Sequence, residues 1–125
     1  MIRFEELNPH NYPTTADIEH NLEILLARLN IIRAAWDKPM IVTSGLRSEK
    51  QQQELIAHGV SKAIKSNHLT GSAADIYDPE GHLYYWVSNN RELLIHAQLW
   101  CETKQGNWVH FQICPPHSNE RFFNP

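Results

Sequence analysis

Residues 108–113 alternate strictly between apolar and polar side chains, and this alternation constrains the fold more than any other feature of the sequence. The apolar positions are Val109, Phe111 and Ile113. The polar or amphipathic positions are Trp108, His110 and Gln112. Successive side chains of a β-strand point to opposite faces. The chain is therefore predicted to contain a sheet with one face in the core and the other free to carry polar chemistry.

The preceding segment, residues 97–102, alternates in the same way and predicts a second strand that pairs with residues 108–113 in a hairpin. Both apolar faces must point to the core, and a slip of one residue would turn one strand over. A three-residue turn at residues 104–106, with its glycine in the left-handed conformation, meets this condition.

This turn predicts a specific register for the hairpin. Trp100 lies opposite His110, and Glu102 lies opposite Trp108. Glu102 and His110 then become diagonal neighbours on the polar face, with Cβ atoms about 5–8 Å apart. The register therefore predicts a carboxylate beside a histidine without any knowledge of related proteins.

Periodicity and capping signals predict the other elements. Apolar residues at helical spacing predict a helix from Ala16 to about Ala35. Ser48, with Gln51 three residues later, resembles a capping box and predicts a helix that runs to about His58 and stops at Gly59. The remaining predicted elements are strands at 40–43 and 73–77, a turn at 78–81, a short helix at 83–87 and a helical turn at 92–95.

Length and composition restrict the class of protein. A chain of 125 residues predicts one domain, spanning residues 1–125. Eleven Lys and Arg against fourteen Asp and Glu give a net charge of −3, which argues against a nucleic-acid partner. No window approaches the roughly 18 apolar residues of a membrane-spanning helix. The first residues lack the apolar run of a secretory signal, so we expect cytoplasmic synthesis. We also expect no membrane insertion and a monomer.

Cysteines and histidines narrow the chemistry further. Two cysteines, Cys101 and Cys114, are too few for a disulfide scaffold; a single bridge stays open, but we expect two buried thiols. Eight histidines indicate metal or proton chemistry, or are scattered on the surface. No spacing supports a ligand role for His10, His20, His58, His82, His96 or His117. Phe122 and Phe123 are expected to anchor the tail.

Two histidines and one aspartate form a candidate metal site on facing elements. His68 precedes the strand that carries Asp75, and His110 lies on the polar face described above. A catalytic zinc ion takes three protein ligands and leaves one position for water. Asp75 falls in the middle of a strand, where a buried carboxylate needs either a metal ion or a salt bridge. The residues alone leave both explanations open.

Three sequence blocks occur in one order. They are Ser44-Gly45-Leu46-Arg47-Ser48, then Ser66-x-His68-x-x-Gly71-x-Ala73-x-Asp75, then Trp108-x-His110. This pattern closely resembles the zinc D-Ala-D-Ala carboxypeptidase family, which includes the peptidase domains of many phage endolysins. The resemblance spans about Val42 to Ile113, which is more than half of the chain.

The resemblance implies an α+β fold in which helices flank a small antiparallel sheet with a zinc cleft, of the hedgehog/D-Ala-D-Ala-peptidase type. It implies that His68, Asp75 and His110 are the zinc ligands. It also implies that Arg47 stabilises an oxyanion or binds a substrate carboxylate, and that Ser66 assists substrate binding. Without the resemblance, Arg47 is a turn or salt-bridge residue and Ser66 is a turn former. The family's substrates are peptides of the bacterial cell wall.

The sequence departs from the pattern at the general base. Many members carry a glutamate three residues before the final histidine, but here that position is Asn107, which cannot accept a proton. Other members place a glutamate at the end of the preceding strand, in a segment similar to residues 99–102. Glu102 is therefore the candidate base, and the predicted register independently sets it on the zinc face. Trp108, with Trp100, is predicted to line the cleft or to serve packing.

These observations predict a zinc-dependent peptidase that hydrolyses amide bonds in peptidoglycan peptides, of the endolysin type. One alternative is a non-catalytic zinc-binding or virion structural protein of the same fold, which Asn107 motivates. Another is a carboxypeptidase that trims terminal D-alanine. The scissile bond does not follow from the sequence.

Overall fold

The computed structural model describes residues 1–59, 66–104 and 106–125. The strands are β1 Val42–Ser44, β2 Ala73–Tyr77, β3 Trp100–Glu102, β4 Trp108–Gln112 and β5 Phe122–Phe123. The helices are α1 Phe4–Leu7, α2 Ala16–Trp36, α3 Glu49–Ala57, α4 His82–Asn89 and α5 Arg91–His96, with a 3₁₀ helix at Asn67–Thr70. The strands form one sheet in the spatial order β1-β2-β4-β3-β5.

The sheet is mixed, because its last strand runs parallel to its neighbour. β2 pairs antiparallel with β1 and β4, and β3 pairs antiparallel with β4. β5 instead pairs in parallel with β3. The predicted α+β class, with helices around a small sheet, is confirmed. The predicted small antiparallel sheet is formed by β1 to β4, and β5 adds a parallel strand at the edge, where it covers the backbone groups that β3 would expose.

The hairpin of β3 and β4 has the predicted faces but not the predicted register. Trp100 lies opposite Gln112, and Cys101 lies opposite Phe111, whereas the prediction set Trp100 opposite His110. Side chains alternate with a period of two, so this shift of two residues leaves every side chain on its predicted face. The described pairing of β3 with β4 stops at Cys101 and Phe111, so the connection is longer than the predicted three-residue turn.

Lys104 holds this longer connection in place. Its Nζ donates hydrogen bonds to the carbonyl oxygen of Asp78, at 2.8 Å, and to that of Gly106. The carboxylate of Asp78 in turn accepts two backbone N–H groups at the start of α4, at 3.0 and 2.9 Å. The predicted turn at 78–81 is thereby tied to the hairpin. Gln105, the middle residue of the predicted hairpin turn, lies outside the described residues.

The predicted elements differ from the observed ones mainly at their ends. The strand predicted at 97–102 begins only at Trp100, because Ala97 ends α5 and Gln98 adopts a φ of 57°. The strand predicted at 40–43 is observed two residues later, and both predicted short helices are present and slightly longer. α1, the 3₁₀ helix and β5 were not predicted.

The core lies between α2 and the sheet. The predicted stripe of α2 is confirmed, since four of its members are fully buried: Leu22, Leu25, Leu29 and Ile32. Burying each such side chain stabilises the fold by about 1.5–3 kcal/mol. α2 begins at Thr15, whose hydroxyl accepts the N–H of Ile18, and ends at Asp37 in the left-handed conformation. The apolar face of β4 completes this core.

α3 begins as the capping signal predicts. The Ser48 hydroxyl accepts the N–H of Gln51 at 3.1 Å. The Gln51 carboxamide oxygen accepts a hydrogen bond from the hydroxyl of Tyr12 at 3.2 Å. The helix ends just before Gly59, which has a φ of 72°. None of the described helices combines the length and the apolar character needed to cross a membrane.

The cysteines and the tail behave largely as expected. Cys101 and Cys114 are both free thiols, so the alternative of a bridge is excluded. Cys101 is buried on the core side of β3, and this burial, with a smaller effect of Glu102, raises the pKa of its thiol. Cys114 is only half-buried. Phe123 is 8% exposed, and the predicted anchoring of the tail is confirmed.

Candidate metal centre

The pairing of β2 with β4 places Asp75 and His110 side by side. These two residues are direct register partners, and residues directly opposite each other in an antiparallel pair share one face. On the other side of β2, Ser44 lies opposite Asp75, next to a register irregularity in β1. The polar face predicted from alternation is therefore the face that carries the candidate site.

The 3₁₀ helix brings His68 to the same face. The Ser66 hydroxyl accepts the backbone N–H of His68 at 3.2 Å and so starts this helix. Gly71 ends it in the left-handed conformation, with a φ of 74° and its N–H bonded to the carbonyl of Asn67. A Cβ at Gly71 would also lie 2.9 Å from Leu22 Cγ on α2. The spacing of serine, histidine and glycine thus has a local structural cause.

The three predicted ligand residues converge. One nitrogen or oxygen atom from each of His68, Asp75 and His110 lies within 4.8 Å of the others. Asp75 Oδ1 is 2.9 Å from His110 Nδ1 and 3.3 Å from His68 Nε2. The exposed fractions are only 2% for His68 and 7% for each of the other two residues. Among the described residues, no second group of this kind exists.

The hydrogen bond of His68 to the backbone tests whether this cluster fits a metal ion. His68 Nδ1 lies 2.9 Å from the carbonyl oxygen of Gly45, which can only accept, so Nδ1 carries the hydrogen. In the neutral ring, Nε2 then points a lone pair at Asp75 Oδ1. Two acceptors that face each other need either a proton or a metal ion between them. Two histidine nitrogens and one carboxylate oxygen are a donor set that suits zinc, so the residues fit the ion.

The charges in the cluster shift two pKa values in opposite directions. Burial alone would raise the pKa of Asp75, but hydrogen bonds and charges from His110 and His68 outweigh it and hold that pKa well below its usual range. Burial alone would lower the pKa of His110, but the hydrogen bond and charge of Asp75 outweigh it, and the pKa of His110 is raised. A metal ion needs neutral histidine ligands, so binding an ion releases protons.

Arg47 holds the second oxygen of Asp75. Its Nη2 lies 3.3 Å from Asp75 Oδ2, its Nε donates to the Ser44 hydroxyl at 2.9 Å, and its Nη1 donates to Gln52 Oε1 at 3.0 Å. Burial lowers the pKa of Arg47, and the charges of Asp75 and Glu102 oppose this shift. Arg47 therefore lies beside the candidate metal centre, as the resemblance implies, and leaves Asp75 Oδ1 to the histidines.

The loop that carries Arg47 is locked to its surroundings by backbone contacts. The N–H of Arg47 donates to the carbonyl of His68 at 3.0 Å, and the N–H of Leu46 donates to the carbonyl of Leu7 at 2.7 Å. A Cβ at Gly45 would lie 2.3 Å from that same Leu7 oxygen. Only glycine permits this approach to α1, which explains the Ser-Gly-x-Arg spacing.

Glu102 lies beside the cluster rather than inside it. Its Oε2 is 3.6 Å from His110 Nε2, which is the nitrogen that faces away from Asp75. The Glu102 side chain is 20% exposed, so water reaches it. The predicted proximity of Glu102 and His110 is thus observed in spite of the different register. Asn107 is exposed in the connection between β3 and β4, where its carbonyl accepts the N–H of Asp78 at 2.7 Å.

The two tryptophans lie on the same face of the sheet as His110. Trp108 is half-buried, and its ring covers Gly106 so closely that a Cβ there would lie 2.5 Å from it. Trp100 is covered by the guanidinium of Arg121, 4.2 Å from the ring centroid. Contacts within the protein therefore cover much of the surface of both tryptophan rings. A role of Trp108 and Ser66 in substrate binding stays a prediction.

Three residues near the cluster were not predicted. Gln112 Oε1 lies 2.8 Å from His110 Nε2. Gln52 is buried and holds Arg47, and the Phe123 ring stands edge-on to His110 with centroids 6.4 Å apart. Alternation had already placed Gln112 on the polar face, and this was a signal that could have identified it. Gln52 and Phe123 carry no comparable signal.

Comparison with known proteins gives a family and a structural relative. The family model of peptidase M15 matches residues 2–111. The crystal structure of the L-Ala D-Glu endopeptidase ChiX of Serratia marcescens is 25% identical in sequence, with a TM-score of 0.59. The match covers 86% of this chain and 95% of that one. A search of curated proteins found none that matches.

Proposed function

The chain belongs to the peptidase M15 family, and from this premise we propose that it is a zinc-dependent endopeptidase that hydrolyses peptide bonds in peptidoglycan, with an endolysin-like role. The observation that carries the proposal is the buried convergence of His68, Asp75 and His110 on one face of the sheet. The similar ChiX protein is an L-Ala D-Glu endopeptidase, and this supports a cell-wall peptide as the substrate.

In the proposed mechanism, the three converging residues hold the zinc ion. His68 offers Nε2, His110 offers Nδ1 and Asp75 offers Oδ1, which are the atoms that face one another. A bound zinc ion makes water more acidic and polarises a carbonyl group. Arg47 pairs with the other carboxylate oxygen of Asp75, and this contact orients the ligand oxygen toward the two histidines.

Glu102 serves as the general base of this mechanism. Its carboxylate takes a proton from the attacking water and later gives it to the amine that leaves. It lies at the rim of the cluster, 3.6 Å from His110, and is partly exposed, which suits a group that must meet both water and substrate. General acid–base catalysis contributes about 10²- to 10⁴-fold to the rate of such reactions.

Arg47 also stabilises the transition state in this mechanism. A guanidinium has five N–H groups, and those bonded to Ser44, Gln52 and Asp75 fix its plane. The remaining N–H groups offset negative charge on the carbonyl oxygen in the transition state. Ser66 and Trp108 are the further residues proposed to contact the peptide.

The proposal is tested with the purified 125-residue chain on isolated peptidoglycan. Muropeptides are digested with metal-free and zinc-loaded protein, and the new termini are identified by mass spectrometry. We expect zinc-dependent cleavage inside the stem or cross-link peptide. Cleavage of equal extent in metal-free and zinc-loaded protein would contradict the metal, and loss of turbidity of permeabilised cells tests the endolysin role.

Two other candidates give different products in the same experiment. A non-catalytic relative, which the exposed Asn107 at the usual base position favours, binds zinc and releases nothing. A carboxypeptidase releases free D-alanine and leaves the cross-links intact. Mass spectra therefore separate the three functions.

A further inference from the structure

The carboxamide of Gln112 joins His110 to a fixed group of the backbone. Gln112 Oε1 lies 2.8 Å from His110 Nε2, and Gln112 Nε2 donates to the carbonyl oxygen of Cys114 at 2.7 Å. The side chain is buried. Gln112 lies just beyond the residues 2–111 that the family model matches, so the family match assigns it no role.

The Cys114 carbonyl determines how this carboxamide is turned. A backbone carbonyl can only accept a hydrogen bond, so the amide nitrogen of Gln112 must face Cys114 and the amide oxygen must face His110. The amide oxygen also only accepts, so His110 Nε2 must carry a hydrogen. In a neutral ring the lone pair then lies on Nδ1, and Nδ1 is the atom 2.9 Å from Asp75 Oδ1.

We propose that Gln112 is a positioning residue that fixes His110 in the Nε2–H tautomer and thereby presents its Nδ1 lone pair, together with Asp75, to a metal ion. The inference rests on the proposed function, in which His110 is a metal ligand. His68 is held in the converse way, since its Nδ1 faces the Gly45 carbonyl at 2.9 Å. Each histidine therefore bonds an acceptor of the protein with one nitrogen and turns the other toward Asp75.

This arrangement also leaves the Glu102 carboxylate available to accept a proton. Glu102 Oε2 is the second acceptor near His110 Nε2, but at 3.6 Å it is farther away than the Gln112 oxygen. Gln112 is buried whereas Glu102 is partly exposed. Because Gln112 satisfies the single N–H of the neutral ring, the Glu102 carboxylate keeps its lone pairs for proton transfer. The two side chains thus divide the tasks of orienting the ligand and accepting the proton.

The test compares the zinc affinities of four proteins by competition with a chromophoric chelator. Gln112→Leu removes the acceptor, and we expect zinc to bind about 10- to 100-fold more weakly, the usual effect of losing such a partner. Gln112→Glu keeps an acceptor toward His110 and, when its other oxygen is protonated, a donor toward the Cys114 carbonyl, so we expect near-wild-type affinity. Asn30→Leu is the matched control, because the Asn30 carboxamide also accepts one bond and donates one, to the backbone of Ile2 at 2.8 and 3.0 Å. We expect the control to bind zinc like the wild type.

Nitrogen-15 spectra of the zinc-loaded wild type and Gln112→Glu give a second readout that a merely structural role would not produce. We expect the hydrogen of His110 on Nε2. A hydrogen on Nδ1, equal zinc affinity in the wild type and a folded Gln112→Leu, or a loss in Gln112→Glu as large as in Gln112→Leu would overturn the inference. A wild type that binds no zinc would instead overturn the proposed function itself, and all four proteins would then behave alike.

Discussion

The centre of the sheet and its β3 edge contribute to the candidate site in different ways. At the centre, β2 and β4 pair over five residues each and bring Asp75 beside His110. At the edge, Glu102 ends a strand of three residues that lies between β4 and the two-residue β5. The three metal-site residues are almost fully buried, whereas Glu102 is partly exposed.

This difference separates two tasks within one site. The groups proposed to bind zinc lie on the best-paired part of the sheet, where packing fixes their geometry. The group proposed to move protons lies on a short strand, near water and substrate. Zinc binding should therefore depend on the centre and turnover on both regions, and each prediction below tests this separation.

The largest effect is expected from His68→Ala at the centre. The variant lacks one of the three converging ligand atoms, so we expect it to lose both bound zinc and peptidase activity. Metal analysis and digestion of muropeptides measure the two losses. His82→Ala is the control, because His82 lies on the surface with its side chain 73% exposed, and it should keep both. Full zinc stoichiometry in His68→Ala would refute the ligand assignment.

The next effect is expected from Glu102→Gln at the edge. The amide keeps the shape of the side chain but cannot take a proton, so we expect zinc to stay bound and turnover to fall by about 10²- to 10⁴-fold. Glu92→Gln, on the exposed surface of α5, is the matched control and should leave both unchanged. Turnover near that of the wild type in Glu102→Gln would remove this residue from the mechanism.

The sequence predicted the centre of the sheet better than the β3 edge, because local sequence patterns are easier to recognise than contacts between distant residues. The stripe of α2, the alternation of β4 and the cap at Ser48 are local patterns, and the structure confirms them. The ligand set at the centre came from the family resemblance. Its serine position has a local cause, because Ser66 caps the 3₁₀ helix, whereas Gly45 and Gly71 allow close approach to Leu7 and Leu22, which are distant in the sequence. The residues at the centre of the site could therefore be predicted from the sequence.

The β3 edge was harder to predict from the sequence, because its structure depends on contacts between residues that are distant along the chain. β5 has two residues, too few for a periodic signal, and its parallel pairing with β3 arises only when the chain returns to the sheet. The hairpin register was predicted from a turn length, whereas the observed connection is held by a contact across the fold between Lys104 and Asp78. Glu102 was nevertheless placed near His110, because a shift of two residues preserves the face of a strand.

A smaller effect is expected from Phe123→Ala, which tests whether β5 supports the edge. Phe123 pairs with Glu102, stands edge-on to His110, and is buried. Burial of such a ring is worth about 1.5–3 kcal/mol. A displacement of about 1 Å of a catalytic group can reduce the rate by up to about 10²-fold, so we expect kcat to fall by about 10- to 10²-fold with unchanged zinc affinity.

Phe122→Ala is the control for this prediction. Phe122 lies on the same strand but pairs with Cys101 and packs against Tyr84, with ring centroids 6.2 Å apart. We expect it to lower thermal stability and to leave kcat nearly unchanged. Equal losses of kcat in both variants would mean that β5 acts through stability alone and does not position Glu102.

The smallest effect is the pH dependence of stability, which concerns the centre alone. The raised pKa of His110 stabilises the metal-free fold fully below the unfolded value of about 6.5, and this stabilisation is lost as the pH rises through the folded value. The lowered pKa of Asp75 stabilises the fold fully above the unfolded value of about 3.9, and this stabilisation is lost as the pH falls through the folded value. Metal-free protein should thus be most stable between about pH 4 and pH 6.5. Above this range its free energy of unfolding should fall by at most about 1.4 kcal/mol per pH unit for one released proton.

Zinc should reverse the sign of this pH dependence. The ion needs His110 without a proton on the ligand nitrogen, so it binds more tightly as the pH rises. Urea unfolding of metal-free and zinc-loaded protein between pH 5 and pH 8 measures both slopes, and parallel slopes in the two forms would contradict a metal site that competes with protons at the centre of the sheet.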